Sequence, residues 1–128
     1  MQLNEISLES LKRAVKSLTE ATLLAKNDVV RDATIQRFEF TFELCWKTLK
    51  KYLQANNKFQ SESIKEILRE SGRQGLIANV EKWFSYLEAR NLTSHTYNEI
   101  TADKVYSLAF DFKNDAAKLL TSLELALD

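Results

Sequence analysis

The chain has no proline, two glycines, one cysteine and one histidine among its 128 residues. Each scarcity excludes something. Proline and glycine punctuate turns, so a chain nearly free of both lacks the material for a sandwich or barrel and favours long uninterrupted helices. A lone cysteine, Cys45, has no partner for an internal disulfide. Its place in an apolar helical run fits a reducing compartment. One histidine and one cysteine are too few for a zinc site, and no acidic loop of the calcium type is present, so no metal or other cofactor is expected. Charge of one sign is not in excess, since 18 Lys and Arg balance 18 Asp and Glu. A neutral chain has no global field with which to hold nucleic acid, so any such contact must come from a local patch, for instance one assembled by oligomerisation. No apolar run approaches a membrane span. Met1-Gln2-Leu3-Asn4-Glu5 lacks the basic region and apolar core of a signal peptide, and a cytoplasmic location is expected.

What is present reads as one globular helical domain over residues 1–128. Hydrophobic residues make up 45% and charged residues 28%, a balance that buries a core without metals or disulfides. Leu8, Leu11, Val15, Leu18 and Leu23 follow helical spacing and predict a helix from about Ser7 to Lys26. Asn27-Asp28 reads as a break. Asp32 or Thr34 then caps a second helix reaching about Gln54, which Asn56-Asn57 ends. Its stripe of Ile35, Phe38, Phe42, Cys45, Leu49 and Leu53 is widened by Phe40, Leu44 and Trp46, so the helix is central in a bundle or partly covered by another chain. Ser63-Ile64-Lys65-Glu66 is a capping box for a short third helix ending near Gly72. A fourth helix is predicted from about Asn79 through Tyr97. The last begins at Thr101 or Asp103, with Val105, Leu108, Phe112, Ala116, Leu119 and Leu123 on one face. Four long helices and one short one imply an all-α fold resembling a four-helix bundle.

One stretch is polar and chemically rich: Arg90-Asn91-Leu92-Thr93-Ser94-His95-Thr96-Tyr97. In a continuous helix of about 100° per residue, Arg90, Ser94 and Tyr97 share one stripe and Asn91, His95 and Asn98 the next. A lone histidine near a helix end is more often a surface or capping residue than a catalyst, but its neighbours change that balance. An arginine fork matches phosphate oxygens and stabilises charge that develops on them. A histidine can take a proton from a ribose 2′-hydroxyl or give one to a departing 5′-oxygen. Such a pair would cleave RNA without a metal. The reaction needs both an acid and a base, and the chain has one histidine. A two-fold homodimer that juxtaposes both copies of the stretch would supply the second and concentrate positive charge in a neutral protein.

Arg90-x4-His95-x-Tyr97 resembles the Arg-x4–6-His signature of HEPN domains, in the Arg-x4-His-x-Tyr form of HepT toxins. The wider chain is similar to the nucleotidyltransferase substrate-binding protein family, a HEPN-related group. The likeness is carried by Ile35 through Lys47, by Ile67-Leu68-Arg69-Glu70 through Gly75-Leu76-Ile77, and by Arg90 through Tyr97. It implies a homodimer of HEPN-type four-helix bundles whose partner is a minimal nucleotidyltransferase encoded nearby, as in a two-gene toxin–antitoxin module. In the HepT form, the resemblance implies, Arg90 and His95 serve ribonuclease activity and the partner neutralises it by moving AMP from ATP to Tyr97. Outside the motif the sequence is closer to the substrate-binding branch. That branch implies the alternative of a non-catalytic subunit presenting substrate to a two-component nucleotidyltransferase. Whether the chain is itself an enzyme is therefore left open between these two readings.

Around the motif, Asn91 and Ser94 are supporting candidates. Glu43 or Glu39 has two even readings: i,i+4 pairing of Glu43 with Lys47, or orientation of Arg90 or His95 across the bundle. Lys50 reads as surface. Trp46, Trp83 and Tyr86 have the spacing of core residues rather than base-stacking ones, and Cys45 reads as core. Arg69 and Arg73 read as a solvated face. Gly72 and Gly75 do not form a phosphate loop.

Overall fold

The structure is a computed structural model and describes residues 6–128. Met1–Glu5, on which the signal-peptide reading rests, lies outside the described residues. Five α-helices follow in order: α1 (Glu9–Thr22), α2 (Asp28–Asn57), α3 (Ile64–Arg73), α4 (Val80–Asn91) and α5 (Glu99–Leu127). A single 3-10 turn, Thr93–His95, lies between α4 and α5. The described residues contain no strand, and the all-α expectation holds. The expected lengths do not all hold. With 30 and 29 residues, α2 and α5 are each about 45 Å long. At 14 and 12 residues, α1 and α4 are less than half as long as α2.

The ends of the helices follow from particular side chains. Asn27 turns its Oδ1 to the Val30 N–H at 2.8 Å, so α2 starts at Asp28 and not after Asp32 or Thr34. Thr34 is instead buried inside the helix, its hydroxyl donating to the Val30 carbonyl at 2.7 Å. Leu23-Leu24-Ala25-Lys26, exposed ahead of the Asn27 cap, is left outside α1, which ends at Thr22 and not at Lys26. Asn56-Asn57 does not stop α2. The stop is Lys58, in the left-handed region at φ 59°, from where its N–H and that of Phe59 close onto the Gln54 and Leu53 carbonyls. Ser63 caps α3 as expected, accepting from the Glu66 N–H at 3.3 Å. The box closes through a relay: Ser61 donates to the Glu66 carboxylate and accepts from the Ser63 N–H. A Cβ on Gly72 would collide with Cγ2 of Val80, so the glycine lets α3 and α4 approach closely.

Helix α2 packs against all four other helices, as a helix with so wide an apolar face must. Its stripe from Ile35 to Leu53 is buried throughout. The flanking residues are less so: Phe40 is exposed, and Leu44 and Trp46 are half-buried. Phe112 of α5 is the hub of the core. Phe38 of α2 and Tyr86 of α4 meet it edge-on at 5.0 Å, and Trp83 does so at 5.6 Å. Each such pair adds about 0.5–1.5 kcal/mol beyond the area it buries. Trp83 and Tyr86 are core residues, as expected; Trp46 has another role, described below. Among the described residues, no helix is long and apolar enough to cross a membrane.

Candidate functional site

The fourth helix does not run through Tyr97. It ends at Asn91, and the two stripes expected of a continuous helix do not form. The cause is local competition for carbonyls. The Thr96 hydroxyl donates to the Thr93 carbonyl at 3.2 Å, and the backbone tightens through His95 N–H to Leu92 O (2.9 Å) and Asn98 N–H to His95 O (3.2 Å). Asn98 then caps a new helix, accepting from the Thr101 N–H at 3.1 Å. Thus α5 begins at Glu99, ahead of Thr101 and Asp103. The motif is a corner between two helices.

Helix α2 fixes this corner with two carboxylates one turn apart. Glu43 Oε1 accepts from Arg90 Nε at 2.5 Å, and each side chain is 27% exposed. The other oxygen of Glu43 accepts from the Trp46 indole N–H at 3.2 Å. Arg90 Nη1 donates to Asn91 Oδ1 at 3.0 Å. The Thr93 hydroxyl, with one proton to give, lies against both the Arg90 carbonyl (2.7 Å) and the Glu39 carboxylate. Of the two readings of Glu43, the cross-bundle one describes its main bond. The i,i+4 contact to Lys47 is longer, at 3.9 Å. Neither Glu39 nor Glu43 reaches His95.

The rest of the motif faces outward. His95 is exposed and Tyr97 is 83% exposed, their rings edge to face at 6.0 Å. Ser94 is exposed as well, and its side chain makes no hydrogen bond among the described residues. The structure therefore joins Arg90, Asn91 and Glu43 in one bonded set and leaves Ser94, His95 and Tyr97 on its rim. Thr93 and Trp46 were missed as site residues. The signal for Thr93 was a hydroxyl three residues after Arg90, and for Trp46 an indole three residues after Glu43. Chemically, the corner offers an oriented guanidinium for an oxyanion, an exposed imidazole for a proton and an exposed phenol for a transferred group.

Other candidates lie elsewhere. Lys50 pairs with Glu62 at 2.8 Å. The Arg73 guanidinium pairs with Glu70 at 2.9 Å, and that of Arg69 sits 5.3 Å over the Phe84 ring. Cys45 is fully buried, and burial pushes its thiol well above the usual range. One cluster had no sequence signal at all. The guanidinium of Arg31, buried near the start of α2, meets Asp32 at 3.1 Å, Glu99 at 2.5 Å and Asp103 at 3.5 Å. Lys26 meets Asp103 at 3.1 Å. The Arg31 hydrogen bond holds the Glu99 carboxyl below its ordinary range, and the Lys26 hydrogen bond does the same for Asp103.

The same helices in the same order occur in known proteins. A structure from Thermus thermophilus superposes with a TM-score of 0.83 and 33% identity over 88% of this chain and 98% of that one. A Haemophilus influenzae structure, presented as the fold of a substrate-binding domain of a nucleotidyltransferase, superposes with a TM-score of 0.84 and 32% identity over 92% of this chain and 99% of that one. The probable ribonuclease HepT of Haemophilus influenzae (strain ATCC 51907 / DSM 11121 / KW20 / Rd) is 38% identical over 111 residues, 84% of this chain and 71% of that protein. The sequence model of the family described as "nucleotidyltransferase substrate binding protein like" matches residues 6–125. This chain belongs to the nucleotidyltransferase substrate-binding protein family.

Proposed function

We propose that the chain is the helical member of a two-gene toxin–antitoxin-type module: a metal-independent ribonuclease, neutralised when a minimal nucleotidyltransferase moves AMP onto Tyr97. The observation that carries this reading is the corner itself, where Arg90 is gripped at Nε by Glu43 while His95 and Tyr97 stand exposed beside each other. The name of the Haemophilus relative supports it.

In this reading the 2′-hydroxyl of RNA attacks the neighbouring phosphorus. His95 takes its proton, and the Arg90 guanidinium stabilises the charge that develops on the phosphoryl oxygens. The bond to the 5′-oxygen breaks, leaving a 2′,3′-cyclic phosphate and, after protonation, a 5′-hydroxyl. The second histidine comes from a two-fold copy of the chain in a cytoplasmic homodimer. Neutralisation is attack of Tyr97 Oη on the α-phosphorus of ATP, with release of pyrophosphate and loss of the phenolic proton to solvent. The adduct, beside the His95 ring, then blocks the RNA.

The test is expression of the chain alone and together with the neighbouring transferase. Expressed alone, the wild type should degrade RNA and His95→Ala should not. With the transferase and ATP, Tyr97 should gain the mass of one or more AMP groups and RNA should survive. Intact RNA with the wild type alone removes the ribonuclease reading; an unchanged mass at Tyr97 removes the neutralisation route.

A second reading, a non-catalytic subunit that presents substrate to a two-component nucleotidyltransferase, is favoured by one observation. A cleft of about 270 Å³ between the α3–α4 connection and α5 is lined by Asn79, Trp83, Asp115 and Lys118. It is slightly smaller than most small-ligand pockets. On that reading His95→Ala leaves the partner's transferase activity unchanged, while Lys118→Glu lowers it.

A further inference from the structure

The cleft between the α3–α4 connection and α5 holds polar groups that the fold leaves without partners. Trp83 lines it and is 2% exposed. Its ring is fixed edge-on against Tyr86 and Phe112. Its indole N–H has no hydrogen-bond partner among the described residues. Yet no sealed side-chain nitrogen or oxygen among them lacks a partner. The N–H is therefore reached from outside, and the cleft is the opening that Trp83 lines. A nearly enclosed donor is expensive to leave unmade, and one held in place by an aromatic core is a fixed point for a ligand.

The wall opposite in sequence is α5, where Asp115, Lys118 and Ser122 share one face at i, i+3 and i+7. The Tyr86 hydroxyl and the Lys82 ammonium, the latter at 3.4 Å, both converge on Asp115 Oδ2. Asp115 Oδ1 accepts no hydrogen bond among the described residues. Lys118 is exposed and has no ion pair there, and the half-buried Ser122 hydroxyl has no hydrogen bond. Lys82 balances Asp115, so Lys118 leaves the cleft with one positive charge in excess. Leu76, Ile77 and Leu119 supply apolar wall.

We propose that this cleft binds a small hydroxy acid: one carboxylate, a hydroxyl beside it and a short apolar chain. The carboxylate accepts from the Trp83 N–H and the Lys118 ammonium. The hydroxyl donates to Asp115 Oδ1, and the chain lies on Leu76 and Ile77. A single excess cation selects a monoanion; a phosphate dianion would bring a second charge beside Asp115 with nothing to meet it. At about 270 Å³ the cleft has the volume of about nine waters, room for an acid of a few carbons but not for a nucleoside triphosphate. The proposal rests on the second reading's choice of this cleft and gives it a ligand class.

The experiment follows the two indole N–H resonances of the nitrogen-15-labelled chain by NMR, without the transferase. Trp46→Phe assigns them by removing one. The probes are 2-hydroxybutyrate, butyrate, 2-aminobutyrate and inorganic phosphate. The hydroxy acid should shift the Trp83 resonance to saturation and leave that of Trp46 in place. Butyrate lacks the hydroxyl, and 2-aminobutyrate is neutral overall; each should bind about tenfold more weakly or worse, as should phosphate. Lys118→Met should weaken the hydroxy acid by about tenfold or more, and Lys118→Arg should restore it. Lys104→Met, at an exposed lysine near the start of α5, should change nothing. The proposal is overturned if 2-hydroxybutyrate leaves the Trp83 resonance unmoved, if any other probe binds as tightly, or if Lys118→Met keeps wild-type affinity. Adding the neighbouring transferase and ATP separates this from the second reading. Binding that follows the expected pattern with no AMP on the acid keeps the ligand site and removes only the substrate-presenting role.

Discussion

Arg31 and Arg90 each reach a carboxylate on another helix, and they are held in opposite ways. Arg31 is buried, 5% exposed, and is met by the carboxylates of Asp32, Glu99 and Asp103. Arg90 has a side chain 27% exposed and meets one carboxylate, Glu43, through Nε, with Nη1 on the Asn91 amide. A guanidinium surrounded by acids has no capacity left for another anion. One gripped along a single edge is oriented and still has a nitrogen to offer. The difference separates an arginine that holds helix ends together from one fit for a ligand, although both appear in the sequence as cations near helix termini.

The comparison can be broken most decisively at Arg90. Arg90→Ala should lower the rate of RNA cleavage by about a hundred- to a thousandfold while thermal unfolding stays close to wild type, read in single-turnover cleavage and by calorimetry. Equal losses of rate and stability would mean that Arg90 is structural, like Arg31.

Arg31→Met should give the reverse: the larger loss of thermal stability with cleavage retained. It also tests the sign of a pH effect. The Arg31 hydrogen bond holds the folded Glu99 carboxyl below its ordinary 4.5. That contribution is complete above 4.5 and is lost as pH falls through the lower folded value. Wild type should therefore lose stability more steeply than Arg31→Met on acidification below 4.5, measured by thermal unfolding across an acid series. Parallel curves would show that the cluster does not bind in this way.

The smallest effect is expected at Trp46→Phe, which removes the indole N–H from Glu43 and keeps most of the apolar volume. A loss of about 0.5–1.5 kcal/mol in urea unfolding is expected, with only a few-fold change in cleavage, because the bond of Glu43 to Arg90 remains. A loss of activity as large as that of Arg90→Ala would show that Trp46 positions Glu43 for catalysis more strictly than the bond lengths indicate.

How much of this was legible in the sequence differs by region. The core stripe of α2 was legible because burial repeats with the helical period, and Ser63 because a capping box is a local pattern. Glu43 was half legible, as an acid inside an apolar run that needed a partner. The α4–α5 corner was misread because hydrophobic spacing says nothing about a helix end rich in Thr, Ser and Asn, where side-chain hydroxyls and amides compete for the backbone. Asn27 was read as a break but not as the cap, since Asp32 and Thr34 are equally good capping residues. The Arg31 cluster could not be seen: Arg31 and Glu99 are 68 positions apart, and nothing local marks either as the other's partner.

The Trp46 indole has a consequence for observation. The chain has two tryptophans. Trp83 is 2% exposed in the aromatic core, while Trp46 is half-buried and bonded to the carboxylate that grips Arg90. One emitter is therefore a constant background, and the other sits two hydrogen bonds from the guanidinium. An anion that draws Arg90 away from Glu43 alters the charge next to that indole, so fluorescence of the unlabelled protein becomes a gauge of occupancy at the corner.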